Sequence, residues 1–239
     1  MPSNSPLFLS QHLLSALGTQ TFTYYEDRIP EDGAVLVVSN HRSFMDVPVL
    51  IATLNRPVRF ACHHYMGQVP VLSDVVTRLG CFPLAEPNQR QRSFFHQAAQ
   101  LLRTRQTVGI FPEGAQPMVN RTQPYEMRSF QRGFAHLALR APIKSLAVLP
   151  VAIASTDETV NSVFPLRLLR LFDPSEPLFD QPGWHPMVVY NRVNILVGQP
   201  LWITDAQRSN YGGKQAKSMV AGLTDYCSQQ IKSLLETGR

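Results

Sequence analysis

The sequence predicts an α/β fold: a central mixed, largely parallel sheet flanked by helices, in a single domain that opens with a short N-terminal amphipathic helix. Three observations predict it. Short, mostly apolar runs such as Ala34–Ser39, Thr107–Phe111 and Leu146–Ala154 recur along the chain, the pattern of strands buried on both faces. Segments with helical periodicity separate them, which is the alternation of βαβ units. The 239 residues, 44% hydrophobic and 16% charged, are enough for a substantial core, and no repeat, low-complexity tract or linker marks a boundary between parts.

Leu7–Leu17 places Leu9, Leu13, Ala16 and Leu17 on one helical face and Gln11, His12 and Ser15 on another. Such a helix either packs on the domain or lies at a membrane surface, and residues 1–19 are the segment available for the second role. Gln20–Glu26 has the aromatic and β-branched content of a strand, and Pro30–Gly33 is a turn. Ala34–Ser39 (AVLVVS) reads as a strand covered on both faces. Phe44–Leu54 is predicted helical, with Pro48 near its start. Strands are then expected at Val58–Cys62, Cys81–Leu84, Thr107–Phe111 and Ser145–Ile153, and helices at Val71–Leu79, Gln91–Thr104 and Phe130–Arg140. Ser162–Phe172 interleaves Arg167 and Arg170 with large apolar groups, either packed with the guanidinium heads in solvent or resting on a membrane surface. Asp173–Pro186 holds four prolines and reads as a loop, Val188–Val197 as a strand, and the chain from Lys214 onward as a helix.

Composition excludes several classes. The longest apolar run is the nine residues Leu146–Ala154, whereas a membrane-spanning helix needs about 18 or more. Residues 1–6 carry no basic group ahead of the first apolar stretch, so no secretory leader is expected. Three cysteines, Cys62, Cys81 and Cys227, without a C-x-x-C pair fit a reducing cytoplasmic compartment better than a disulfide scaffold, and no metal site is expected at Cys62–His63–His64. The net charge is +5, with 18 Arg against 4 Lys. Arg90–Lys144 concentrates nine basic residues against only Glu113 and Glu126. An Arg-rich surface of this kind suits an acidic partner: phosphate groups, an anionic membrane surface or an acidic carrier protein. No basic tail or nucleic-acid motif accompanies it, so nucleic acid is not expected as a partner.

Two segments carry chemistry. Asn40–Asp46 (NHRSFMD) follows a buried strand and precedes a helix, so His41 falls on the connection at a strand's end, where reactive groups of α/β domains gather. If that loop folds back, Asp46 can accept from one imidazole nitrogen and fix the other as an acceptor, the arrangement of a general base with its orienting carboxylate. The blander reading is a satisfied loop histidine with Asp46 as an ordinary helix-start residue. Phe111–Gln116 (FPEGAQ) also follows a buried strand. Gly114 allows close backbone approach to a ligand, and Glu113, nearly alone among so many arginines, either orients them and binds substrate hydroxyls or is a solvated turn residue.

NHRSFMD, then GCFPLA (Gly80–Ala85), FPEGAQ and VLPVAIA (Val148–Ala154) resemble, in order and in spacing, the four motifs of the glycerolipid acyltransferase family, whose best-known members are 1-acylglycerol-3-phosphate acyltransferases of the PlsC type. The first and third motifs are specific; the second and fourth are loose. The likeness covers about half of the chain, and the motif-bearing core runs over about 34–154 of one acyltransferase domain spanning 1–239. The resemblance implies transfer of a fatty acyl group from acyl-CoA or acyl carrier protein to the free hydroxyl of a lysophospholipid, with no further cofactor. It implies that His41 is the general base, that Asp46 orients it, and that Glu113 helps to hold the acceptor. Attack is then direct on the thioester, in keeping with the lack of a G-x-S-x-G elbow. Backbone N–H groups around Gly114 are candidates for the oxyanion site.

The chain departs from the family pattern at three basic positions. The family's second motif usually ends in Arg where this chain has Glu86, its third continues to an Arg where this chain has Gln116, and a Lys usual after the strand resembling Val58–Cys62 is met here by His63. Either Arg90, Arg92, Arg121, Arg128 or Arg132 replaces those contacts to an acceptor phosphate, or the acceptor is a different lysolipid or glycolipid. A non-catalytic lipid- or carrier-binding protein of the same fold is the other alternative. Attachment is expected to be peripheral, on the cytoplasmic side of an anionic membrane, through Leu7–Leu17, Ser162–Phe172 and nearby basic groups.

Overall fold

In chain order the elements are α1 (Pro6–Ala16), β1 (Gln20–Tyr24), β2 (Ala34–Ser39), α2 (Asp46–Thr53), β3 (Val58–Cys62), α3 (Pro70–Arg78), β4 (Phe82–Pro83), α4 (Arg90–Arg103), β5 (Thr107–Ile110), α5 (Gly133–Arg140), β6 (Leu146–Pro165), α6 (Leu166–Leu169), β7 (Trp184–Val197), β8 (Leu201–Ile203), α7 (Asp205–Ser209) and α8 (Gly213–Thr237). They belong to a computed structural model that describes residues 5–62, 64–67, 70–85, 89–114, 122–169, 171, 180 and 184–238. One sheet joins all eight strands in the order β1-β7-β6-β2-β5-β3-β4, with β8 on the lower part of β6. The pairs β2–β5, β2–β6, β3–β5, β3–β4 and β1–β7 are parallel, and β6 runs antiparallel to β7 and to β8. This is the mixed, largely parallel sheet that the sequence predicts.

Alternation along β2 explains why its six residues are all apolar or buried. Ala34, Leu36 and Val38 point into one core with α4, α5 and α8. Val35 and Val37 point into the other with α1, α2 and α3. Leu36 and Val37 are fully buried, and cutting a side chain such as Leu36 to Ala costs about 2–5 kcal/mol. Leu7 and Leu14 of α1 sit in the second core, so this helix packs on the domain along that stripe. In α8, Val220, Leu223, Cys227, Ile231 and Leu234 repeat at three- and four-residue steps and cover the first core.

The structure corrects several boundaries. The helix expected over Phe44–Leu54 starts at Asp46, because Ser43–Met45 form the turn that brings Asp46 back to His41. Leu201–Ile203 and Asp205–Ser209 were not expected; the second starts at a capping box in which Thr204 and Gln207 exchange hydrogen bonds. The largest difference is in β6, which continues to Pro165 and includes the first part of Ser162–Phe172. β7 begins at Trp184, inside the segment read as a proline-rich loop; 172–179 and 181–183 lie outside the described residues. Val151 of β6 pairs with Ser39, the last residue of β2 and the last of its partners on β6, so the β6–β7 pair extends past the end of β2 and, beyond Arg192 where β1 begins, runs on as a two-stranded arm. Register shifts at Ser155/Asp157, Asp157/Glu158 and Ser162/Phe164 bend that arm and blur the alternation that reveals a strand in sequence. Among the described residues no helix is long and apolar enough to cross a membrane.

Candidate functional site

The site is built where β2 ends. Asn40 keeps the ladder going with its side chain: its Nδ2 donates to the Ile153 carbonyl at 2.9 Å, and its Oδ1 accepts the Ile153 N–H at 2.8 Å. An asparagine amide copies a peptide group, so β6 stays paired while the main chain turns away. That turn delivers His41.

His41 Nδ1 lies 2.7 Å from Asp46 Oδ2. The same oxygen accepts the N–H groups of Arg42 at 2.7 Å and Ser43 at 2.9 Å, and Tyr190 Oη donates to Oδ1 at 2.6 Å. Asp46 and Tyr190 are fully buried. All four partners donate, so the carboxylate acts only as acceptor and Nδ1 is the protonated imidazole nitrogen. Nε2 then carries a lone pair. It has no hydrogen-bond partner among the described residues and reaches solvent, on a side chain 16% exposed. Burial, helped by the Asp46 charge and hydrogen bond, pushes the Tyr190 phenol well above its usual range, which keeps it a donor.

Aromatic packing fixes the plane of the ring. His41 stacks on Phe111 with centroids 4.1 Å apart and 9° between planes, and Phe111 stacks on Phe60 at 5.0 Å. Phe60 in turn lies over Gly109, where a Cβ would meet its ring at 2.2 Å, so only glycine on β5 leaves room for the stack.

Glu113 is 5% exposed, which sets aside the solvated reading. Its Oε1 accepts the His41 N–H at 2.9 Å and its Oε2 accepts the Arg128 N–H at 2.6 Å. The side chain therefore clamps the His41 loop to the 122–132 segment. Burial pushes its carboxyl above the usual carboxylate range; the N–H groups of Arg128 and His41 oppose that push without reversing it. Gly114 takes a left-handed φ of +74°, and a Cβ there would meet Gln131 Nε2 at 2.9 Å. Its own N–H goes to the Phe111 carbonyl at 3.1 Å, closing the turn after β5, and residues 115–121, which follow it, lie outside the described residues.

The basic candidates fare unequally. Arg128 joins the site through its main chain and is half-buried. Arg90 opens α4 half-buried; Arg92 and Arg132 are exposed near the starts of α4 and α5. Arg121, Glu86, Gln116 and His63 lie outside the described residues. The basic stretch does not surround one site. α4 is 14 residues long, about 20 Å, and carries Arg103 and then Arg105 to the amino ends of the strands, where Lys144 joins them.

Three residues that hold the site were missed in the sequence. Arg42 is 6% exposed and makes a bidentate ion pair with Glu158 of β6, Nε to Oε2 at 2.9 Å, with the second bond from Nη2 to Oε1. It also donates to the Thr122 carbonyl and hydroxyl. Arg42 stands inside the first motif, but nothing local announces Glu158, 116 residues away, or Tyr190, 144 residues from Asp46. Cys62, Cys81 and Cys227 are free thiols pushed up to about 12 by burial, which disfavours the thiolate.

An imidazole oriented by a buried carboxylate stands at the carboxyl end of a largely parallel α/β sheet, with no hydroxyl or thiol bonded to Nε2 among the described residues. A family model described as Acyltransferase matches residues 21–154, and the chain belongs to that family. An uncharacterized protein of Mycobacterium tuberculosis is 26% identical over 195 residues, 75% of this chain and 51% of its own length. A 1-acyl-sn-glycerol-3-phosphate acyltransferase of Borreliella burgdorferi is 25% identical over 132 residues, 55% of this chain and 50% of its own. The chain thus spans about half the length of these curated relatives. The crystal structure of the lysophosphatidic acid acyltransferase PlsC from Thermotoga maritima shares the fold with a TM-score of 0.63 at 19% identity, covering 97% of this chain and 77% of that one.

Proposed function

We propose that this protein transfers a fatty acyl group from a thioester, acyl-CoA or acyl carrier protein, to the free hydroxyl of 1-acylglycerol-3-phosphate, giving phosphatidic acid. One observation carries the reading: Asp46 holds Nδ1 of His41 and leaves the Nε2 lone pair open at the surface of the site. Nε2 takes the hydroxyl proton as the oxygen attacks the thioester carbon. The tetrahedral intermediate collapses, the C–S bond breaks, and the sulfur leaves with the proton returned from Nε2. Asp46 stabilises the imidazolium in between. Glu113, with both oxygens on backbone N–H groups, positions the loops on which His41 and Arg128 stand. Arg90, Arg92, Arg121, Arg128 and Arg132 are the proposed phosphate ligands, and α1 with the 162–172 segment the proposed contact with an anionic membrane.

The test uses purified protein, one labelled acyl donor and a panel of lysophosphatidic acid, other lysophospholipids, glycerol 3-phosphate and glycolipids. Acyl transfer to lysophosphatidic acid is expected to exceed the others, and His41→Ala to lower it by about 10²–10⁴-fold. Undiminished transfer in that variant would overturn the mechanism. A stronger signal with a different acceptor would overturn the head-group assignment alone.

A further inference from the structure

A cleft of about 780 Å³ opens at the amino ends of β6, β2 and β5. β2 is six residues long, so His41 stands about 20 Å away at the other end of the strand. Arg103, Arg105 and Lys144 line the cleft against one carboxylate, Asp32, together with Trp202, which is exposed overall. All three cations and Asp32 are exposed, and none of the four forms an ion pair with another described residue. The catalytic reading uses none of these groups, yet three of the nine basic residues of Arg90–Lys144 meet here.

The backbone singles out one of them. Arg105 has φ +58° at the position after the Thr104 cap of α4, where the Gln106 N–H reaches the Leu101 carbonyl at 3.1 Å. That left-handed position favours glycine, and an arginine there costs stability that the helix end does not require. Ser145, at φ +52° on the opposite wall, is a second left-handed residue facing the same space. Strained positions gather where a side chain is needed for binding.

We propose that this cleft is a binding site for a nucleotide: Arg103, Arg105 and Lys144 take its phosphates, and its base stacks on the Trp202 indole. The volume suits such a ligand, guanidinium groups favour phosphate oxygens, and an exposed indole offers a flat apolar face. The site is independent of acyl transfer.

The test is calorimetric titration of the full chain with ADP, and separately with inorganic pyrophosphate. Arg105→Gly is the informative variant, because it removes the cation while relieving the left-handed strain. Its melting temperature is expected to hold or rise while ADP binding weakens about tenfold or more. Lys144→Ala and Trp202→Ala are expected to weaken it too, His41→Ala to leave it unchanged, and pyrophosphate to bind less tightly than ADP. No ADP binding, or equal binding in Arg105→Gly, would overturn the site. Pyrophosphate binding as tight as ADP, with Trp202→Ala unaffected, would overturn the nucleotide and leave a plain phosphate site.

Discussion

Replacing Asp46 with Asn separates the charge of this residue from its place in the fold. Four donors surround the wild-type carboxylate: His41 Nδ1, the N–H groups of Arg42 and Ser43, and Tyr190 Oη. An asparagine oxygen in the position of Oδ2 still accepts from the loop, and its NH2 faces Tyr190 Oη, which can rotate to accept. The loop therefore keeps its shape. What disappears is the negative charge beside the imidazolium that forms when Nε2 takes a proton. For charge centres about 4 Å apart at an effective dielectric of 20, that charge is worth about 4 kcal/mol. One tenfold change in rate corresponds to about 1.36 kcal/mol, so kcat should fall by about 10³. KM should hold, because Asp46 is fully buried behind His41 and takes no part in the surface a substrate meets. The assay follows thiol release from the acyl donor with lysophosphatidic acid as acceptor, alongside a thermal melt. A loss of kcat under about tenfold in a well-folded variant would refute the reasoning, since the site would not then need a stabilised imidazolium.

Tyr190→Phe removes one donor from a buried carboxylate and is expected to cost about 1.5–3 kcal/mol of stability in urea unfolding, with a smaller loss of kcat than Asp46→Asn. Glu113 has a pKa raised by burial, so folding takes up a proton between its ordinary value, about 4.3, and its raised one. Stability from this group is full below that window and is lost as pH rises through it; in Glu113→Gln the decline in urea midpoint over the same range should flatten. Arg42→Met removes the guanidinium paired with the largely buried Glu158, a change expected to cost about 3–5 kcal/mol, whereas Arg42→Met with Glu158→Leu should recover most of it. Melting temperatures report this at about 2–4 °C per kcal/mol for a chain of this size.

The sheet was legible because its central strands are apolar throughout. Ala34–Ser39 and Leu146–Ala154 are short apolar runs flanked by helical segments, the pattern of doubly covered strands. His41 and Asp46 were legible because one short loop carries both. The long-range half of the site was not. Glu158 and Tyr190 lie on an arm whose strands show one polar face and several register shifts, so the period-two signal is weak. Gly114 was legible as a turn for a local reason: a glycine after a strand signals a left-handed position, and the turn takes up the glycine's own N–H.

The arm also holds the His41–Asp46 loop in place. The family match ends at residue 154, yet the carboxylate that orients His41 is held by Tyr190 and the base's neighbour Arg42 by Glu158, both beyond it. Ser43 of the same loop donates to the Val188 carbonyl at 2.6 Å, and the Tyr190 N–H meets Met45 Sδ at 3.2 Å. Contacts of Arg42, Ser43, Met45 and Asp46 thus tie the loop to the β6–β7 pair. A loop carrying a base within hydrogen-bond tolerance of its orienting carboxylate needs such support, because a misplacement of about 1 Å costs about 10²-fold in rate. On the proposed mechanism the matched segment carries the base and its carboxylate, and the strands beyond it supply the rigidity that makes them a pair.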